Sequence, residues 1–179
     1  MSMLAQFLRE PSAATHYAVL DAAVLDGLLF QLHALGAKQY ACLLAGEVEP
    51  DVAHVAPYLA RLDATSPLLP WLEQRLDLPW GYLVESPLAL DLLQRRLRCF
   101  SEVRNGDGEP LLFRFWDPRV LREMRSILTP AQSTEFTRGV LRLCIVDAHA
   151  GVTGISWQER LQQWSCSSGL ADTRREVQA

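Results

Sequence analysis

Residues 17–44 read YAVLDAAVLDGLLFQLHALGAKQYACLL, and the spacing of their apolar residues predicts a strand, a helix and a second strand. Residues 17–20 form an apolar run of strand length that ends at Asp21, and residues 40–44 form another. Between them, five leucines follow one helical face before Gly36, namely Leu25, Leu28, Leu29, Leu32 and Leu35. A strand, helix and strand within about 30 residues are typical of a βαβ unit, so we expect a parallel pair of strands with a right-handed crossover.

The residues after this unit also alternate between predicted strands and predicted helices. Residues 80–85 have the apolar character of a strand, and Ser86-Pro87 is a typical helix start, because serine caps orphan N–H groups and proline at the first position loses no hydrogen bond. The turn sequence Asn105-Gly106-Asp107-Gly108 lies between two strand-like arms and predicts a β-hairpin. A helix beginning at Asp117-Pro118-Arg119 follows, and residues 140–146 predict a further strand.

These elements predict an α/β fold in a single domain, with a mixed, partly parallel β-sheet flanked by helices and a short C-terminal helix. Residues 1–16 are expected to form a polar N-terminal lead-in, residues 17–156 the α/β domain, and residues 157–179 the C-terminal helix with a frayed tail.

Composition and charge limit the classes of function. The chain has 179 residues, 49% of them hydrophobic and 21% charged, which predicts a packed core. A net charge of -4 does not provide the positive field that phosphate binding needs, so nucleic acid is disfavoured as a partner. The N-terminal residues lack a secretory-signal pattern, and no apolar run approaches the roughly 18 to 20 residues that span a bilayer. We expect a cytoplasmic protein without membrane insertion.

Sequence motifs for metals, cofactors and nucleotides are lacking. The cysteines lie far apart, with no C-x-x-C pair and no histidine at ligand spacing. No glycine-rich loop follows the first strand to let a phosphate approach the backbone. We therefore expect neither a metal nor a cofactor. Cys42 and Cys144 lie in apolar runs, which favours buried small hydrophobes over nucleophiles.

A set of acidic residues offers an alternative, enzymatic interpretation. Asp117-Pro118-Arg119 places an acid and a guanidinium at the end of a strand, where α/β proteins often bind ligands. Asp21, Asp147 and His149 also follow strands, and with Asp117 they are candidate site residues of a small α/β hydrolase or ligand-binding enzyme. The structural interpretation is that Asp117 caps a helix whose first residue is Pro118. We favour it, because nothing in the spacing demands catalysis.

The last predicted helix carries Trp157, Leu161 and Trp164 at helical spacing. An apolar stripe on a helix is expected to pack against another apolar surface. The favoured interpretation is that it closes the domain's own core, and the alternative is an exposed surface that contacts a partner helix.

The order of several short segments resembles a known family. These are YAVLD at residues 17–21, APYL at 56–59, WGY at 80–82, LRCF at 97–100 and FRFWDPRVL at 113–121. Together they resemble the adaptor chaperones of the bacterial type VI secretion system, a family first catalogued as a domain of unknown function. Only the last string is individually specific, and the others count through their order.

The resemblance implies a protein that binds a particular toxic effector in the cytoplasm and promotes its loading onto the spike protein, the valine-glycine repeat protein. It implies no catalysis and no cofactor. Arg114, Asp117, Pro118 and Arg119 then occupy the family's signature positions, where they either contact a partner or hold the fold. A third alternative is a structural subunit of the secretion machine.

Overall fold

The computed structural model of the protein describes residues 4, 7, 8, 13–36, 38–147, 151–158 and 160–168. Within these ranges a seven-stranded β-sheet has helices on both faces, and a two-stranded hairpin stands apart from it. The strands are β1 (Thr15–Asp21), β2 (Tyr40–Cys42), β3 (Pro57–Leu62), β4 (Gly81–Ser86), β5 (Glu102–Arg104), β6 (Pro110–Leu112), β7 (Arg142–Asp147), β8 (Gly151–Gln158) and β9 (Gln163–Ser168). The helices are α1 (Leu28–Leu35), α2 (Pro50–Ala53), α3 (Leu68–Glu73), α4 (Leu90–Arg98), α5 (Pro118–Ile127) and α6 (Pro130–Thr137).

The strand order of the large sheet is β2-β3-β1-β4-β7-β8-β9, and every neighbouring pair is antiparallel. The predicted α/β fold class is confirmed, but the predicted parallel pair is wrong. Strands β1 and β2 do run in the same direction, as a crossover through α1 requires, yet β3 lies between them. The first four strands thus form the split βαβ arrangement of ferredoxin-like folds.

Burial explains why β3 separates β1 from β2. Five of the six residues of β3 are buried, so this strand needs neighbours on both sides and helices on both faces. Strand β2 has only three residues, all partly exposed, which suits the edge of a sheet.

Alternating side chains of the central strands enter two separate hydrophobic clusters. Ala18 and Leu20 of β1 face the first cluster with leucines of α1 and α3. Tyr17 and Val19 face the second cluster, which contains apolar side chains of α4, α5 and α6. This period of two along β1 gives three layers, with the sheet between two layers of helices.

The N-terminal segment, predicted to be a polar lead-in, contributes apolar side chains to the core. Leu4 and Phe7 are fully buried and belong to the first cluster, although both fall within the predicted lead-in of residues 1–16. The free energy gained by burying these two apolar side chains favours their place in the core, despite the polar residues around them in the sequence.

The predicted C-terminal helix is wrong. Strands β8 and β9 form an antiparallel pair in which Trp157 of β8 lies directly opposite Trp164 of β9. The spacing of seven residues fits both one face of a helix and two facing positions of a short hairpin, so periodicity alone did not distinguish them. Because β8 begins at Gly151, the predicted boundary at residue 156 falls inside a strand of the main sheet. No helix within the described ranges reaches the length and hydrophobicity that crossing a bilayer requires.

Candidate functional site

An ion pair links the end of β1 to the segment that precedes α5. The Nη2 atom of Arg114 donates to Oδ2 of Asp21 over 2.8 Å, and the backbone N–H of Ala23 donates to Oδ1 over 3.0 Å. The Asp21 side chain is 2% exposed, whereas that of Arg114 is 45% exposed. The buried carboxylate is therefore held from one side by the backbone and from the other by a guanidinium that reaches solvent.

A second acid–arginine pair begins α5. Oδ1 of Asp117 accepts from the backbone N–H of Arg119 over 2.9 Å, and Pro118 is the first residue of the helix. The predicted N-cap is therefore confirmed. The Arg119 side chain also donates from Nε to Oδ1 over 3.0 Å and from Nη2 to Oδ2 over 2.7 Å. This bidentate pair is geometrically specific, with Asp117 only 6% exposed and Arg119 63% exposed.

The two ion pairs influence each other electrostatically. Burial would raise the pKa of Asp117, but the hydrogen bonds and charge of Arg119, together with the charge of Arg114, outweigh it and lower this pKa. The pKa of Arg119 is raised, first by its side-chain hydrogen bond to Asp117 and then by the negative charge of Asp117. The negative charge of Asp21 makes a smaller contribution in the same direction. Four predicted residues, Asp21, Arg114, Asp117 and Arg119, thus form one cluster of charges.

The other two residues of the enzymatic interpretation are not brought into this cluster by any described contact. Asp147 is the last residue of β7, which lies beyond β4 from β1. Strands β1 and β7 run in the same direction, so Asp21 and Asp147 end them at the same edge of the sheet. His149 lies outside the described residues. Within the described ranges, no group of three or more His, Cys, Asp or Glu side chains is arranged to hold a metal ion.

The two C-terminal tryptophans contact the domain itself. Their rings lie 5.4 Å apart between centroids across β8 and β9. The indole Nε1 of Trp157 donates to Oγ1 of Thr134 over 3.0 Å, and that of Trp164 donates to Oγ of Ser133 over 3.2 Å. Both hydrogen bonds attach the hairpin to α6. Leu161 is exposed in the connection between the strands, so the predicted stripe of Trp157, Leu161 and Trp164 does not form.

Apolar side chains are exposed on the small hairpin. Val103 of β5 lies opposite Leu111 of β6, and both are exposed together with Leu112. We call Val103, Leu111 and Leu112 the hairpin surface. The turn residues predicted this hairpin, and the structure confirms it. The alternation of side chains along its arms did not indicate that both faces would be exposed.

A groove lies beside this hairpin, along α5. It has a volume of about 350 Å³ and is lined by Phe113, Arg119, Val120, Glu123, Ile127 and Leu128, with the buried side chains of Asp117 and Met124 also contributing. We call it the α5 groove. The sequence contained a signal for it, because the apolar positions of α5 cover more of the helix circumference than the side facing the core. Leu121 and Met124 are buried, while Val120 and Ile127 occupy the outer flank.

The fold and these surfaces define a three-layer α/β protein with an apolar groove beside two partly buried acid–arginine pairs. Residues 16–135, two thirds of the chain, match the family described as "Domain of unknown function (DUF4123)", and the chain belongs to this family. The match includes the charge cluster, the hairpin surface and the α5 groove, whereas β7, β8 and β9 lie beyond it. No curated protein and no solved structure matches the chain.

Proposed function

We propose that this protein is an adaptor chaperone that binds a specific type VI secretion effector in the cytoplasm and promotes its loading onto the spike protein. The resemblance of the ordered sequence segments supports this role, and membership of the DUF4123 family is consistent with it. The proposed partners are a toxic effector, encoded nearby, and the valine-glycine repeat protein. Neither nucleic acid nor a bilayer is required for this function.

The single observation that carries the proposal is the set of exposed apolar side chains on the hairpin surface and on α5. Leu111, Leu112 and Ile127 are each at least half exposed, and Phe113, the residue that follows the hairpin, lines the α5 groove. A cluster of exposed apolar side chains such as Val103, Leu111 and Leu112 on the hairpin is characteristic of protein-binding surfaces. An adaptor needs such a surface, because burial of apolar area is the main driving force of most protein association.

We also propose that the protein is not an enzyme. Both described carboxylates of the hydrolase interpretation, Asp21 and Asp117, are buried and bound by arginine. A lowered pKa disfavours Asp117 as a general acid, since such an acid must be protonated at working pH. These contacts favour a structural role, in which the two pairs fix the start of α5 against β1.

Coexpression with the protein encoded beside this chain tests the adaptor function. A stable complex with that protein is expected to copurify and to be captured by the spike protein. Absence of any complex with either protein contradicts the proposal. Stoichiometric incorporation into the assembled machine, in place of transient escorting, identifies a structural subunit instead.

Substitution of the acidic residues tests the enzymatic alternative. Asp21→Ala and Asp117→Ala are expected to lower the melting temperature without abolishing any turnover. Asp147→Ala and His149→Ala are included to complete the set. Loss of a measurable hydrolytic activity at unchanged melting temperature supports the enzyme and contradicts the proposal.

A further inference from the structure

The α5 groove has the apolar lining that an amphipathic helix requires. Val120 and Ile127 lie two turns apart on the outer flank of α5, and Phe113 and Leu128 extend the apolar lining. Ile127 is 74% exposed, although Met124 one turn earlier is buried. A groove of this kind accepts apolar side chains that repeat every three or four residues on a partner helix.

In both acid–arginine pairs the guanidinium is the exposed member. Arg119 is 63% exposed while its partner Asp117 is 6% exposed, and the same contrast separates Arg114 from Asp21. The carboxylates of both pairs therefore lie beneath the surface, and their guanidinium groups reach it. Glu123 is the one exposed acid that lines the groove within the described residues.

Arg119 retains hydrogen-bonding capacity for a partner. Its bidentate contact with Asp117 uses Nε and Nη2, so within the described part of the chain both N–H donors of Nη1 remain available. Because Asp117 already holds the guanidinium in place, little side-chain entropy is lost when a second carboxylate binds. Because a guanidinium donates hydrogen bonds and accepts none, these Nη1 donors favour a partner carboxylate over a basic side chain.

We propose that the α5 groove is the docking site for an amphipathic helix of the effector, with its apolar side chains on Val120 and Ile127 and an Asp or Glu bound to Arg119. This proposal rests on the adaptor function proposed above and adds to it the binding surface and the chemistry of the bound segment. The spike protein is expected to bind elsewhere on the adaptor.

Binding of the tagged product of the neighbouring reading frame to the full chain provides the test. Ile127→Asp is expected to weaken this binding by about tenfold or more, because it places a charge where an apolar side chain should be buried. Phe30→Asp is the matched control, since Phe30 lies on α1 at the opposite face of the sheet and is 76% exposed. It is expected to leave binding unchanged. Both variants should fold, because neither side chain is buried.

Two neutralising variants test the sign of the partner's charge. Arg119→Gln keeps the backbone N–H that binds Asp117 and is expected to weaken effector binding severalfold, more at low salt than at high salt. Glu123→Gln is expected to strengthen the same binding. The reverse pair of effects indicates a basic segment and overturns the proposal.

The remaining outcomes separate the docking site from the adaptor function. If the wild-type chain binds the effector and Ile127→Asp binds it equally well, the adaptor function stands and the proposed site is wrong. If Ile127→Asp loses only spike binding, or dissociates a dimer of the wild-type chain, another occupant fills the groove and the proposal is overturned. If the wild-type chain binds neither protein, the adaptor function fails, and the docking site fails with it.

Discussion

The carboxylate of Asp117 combines two stabilising roles that depend on its charge. It caps α5 through the backbone N–H of Arg119 and binds the guanidinium of the same residue in bidentate geometry. Both contacts favour the ionised form, and they lower the pKa despite burial. Ionisation of Asp117 should therefore contribute to the dependence of stability on pH.

Asp117→Asn retains a capping oxygen but loses the charge. At neutral pH we expect it to be less stable than the wild type by about 1 kcal/mol, a modest value because Arg119 is exposed and screened. Below the ordinary value of 3.8, the unfolded carboxyl takes up a proton before the folded one. The stability advantage of the wild type should shrink as pH falls through the folded pKa. Urea unfolding at a series of pH values measures this, and a constant difference between the two proteins contradicts it.

Tyr82 and Tyr17 provide a matched pair of buried tyrosines on neighbouring strands. The Tyr17 hydroxyl donates to the carbonyl oxygen of Leu88 over 2.7 Å, whereas that of Tyr82 has no hydrogen-bond partner among the described residues. Tyr82→Phe is expected to leave stability unchanged or raise it by up to about 1 kcal/mol, while Tyr17→Phe lowers it by about 1 kcal/mol. Chemical denaturation of both variants checks this, and a clear loss for Tyr82→Phe would mean that its hydroxyl is hydrogen-bonded.

Among the elements, β4 depends most on a single small residue. Gly81 begins β4 with φ of +139°, and a Cβ there would lie 1.9 Å from the carbonyl oxygen of Val19 on β1. The conformation and the close approach of the two strands both require glycine. Register between β1 and β4 therefore depends on this position.

Gly81→Ala is expected to lower the free energy of unfolding by roughly 3 kcal/mol or more, because the clash is with backbone that cannot move without disturbing the sheet. Gly106→Ala is the control, since nothing lies within 4 Å of its added Cβ. It should change stability by less than about 0.5 kcal/mol. Equal changes in the free energy of unfolding for Gly81→Ala and Gly106→Ala would contradict this expectation, because β1 and β4 would then accommodate the added methyl group without loss of stability.

The β8–β9 hairpin depends on its tryptophans for attachment to α6. Trp157→Ala and Trp164→Ala are each expected to lower stability by about 2 kcal/mol, less than a fully buried tryptophan, because both side chains are partly exposed. The double variant should lose less than the sum, since the rings contact each other. Thermal unfolding of the three variants measures this coupling. Unchanged stability combined with loss of effector binding would instead identify the tryptophans as partner contacts.

At the scale of the whole molecule, the sheet extends beyond the part that matches the DUF4123 family. Strands β8 and β9 continue the sheet from β7, and Ile155 of β8 is buried in the same cluster as Leu143 and Ile145 of β7. Strand β8 is therefore packed into the second hydrophobic cluster and contributes to the stability of the domain.

A chain that ends at Asp147 is expected to unfold at a clearly lower temperature and to aggregate. Loss of β8 uncovers Leu143 and Ile145 and makes β7 an unprotected edge strand. Thermal unfolding with light scattering tests this. A soluble, cooperatively folded chain with an unchanged midpoint would mean that the hairpin is an independent attachment.

Features governed by neighbouring residues were predictable from the sequence. The cap at Asp117 and the turn of the small hairpin depend on contacts within a few residues, and the structure confirms both. Strand β4 was predicted from its own apolar run, and the structure confirms it, although its pairing with β1 and β7 is long-range. The α/β class followed from the alternation of predicted strands and helices along the chain. The acid–arginine cluster was only partly predictable, because its four residues were identified separately and Asp21 and Arg114 lie 93 positions apart.

Three features depended on contacts between distant elements. The position of β3 between β1 and β2 follows from its burial on both faces, which a short apolar run does not reveal. The placement of Trp157 and Trp164 on paired strands depends on that pairing and on attachment to α6, since the same spacing suits a helix. The exposure of Ile127 depends on which flank of α5 the core covers. Periodicity identifies apolar positions, but only packing between layers determines which of them remain available to a partner.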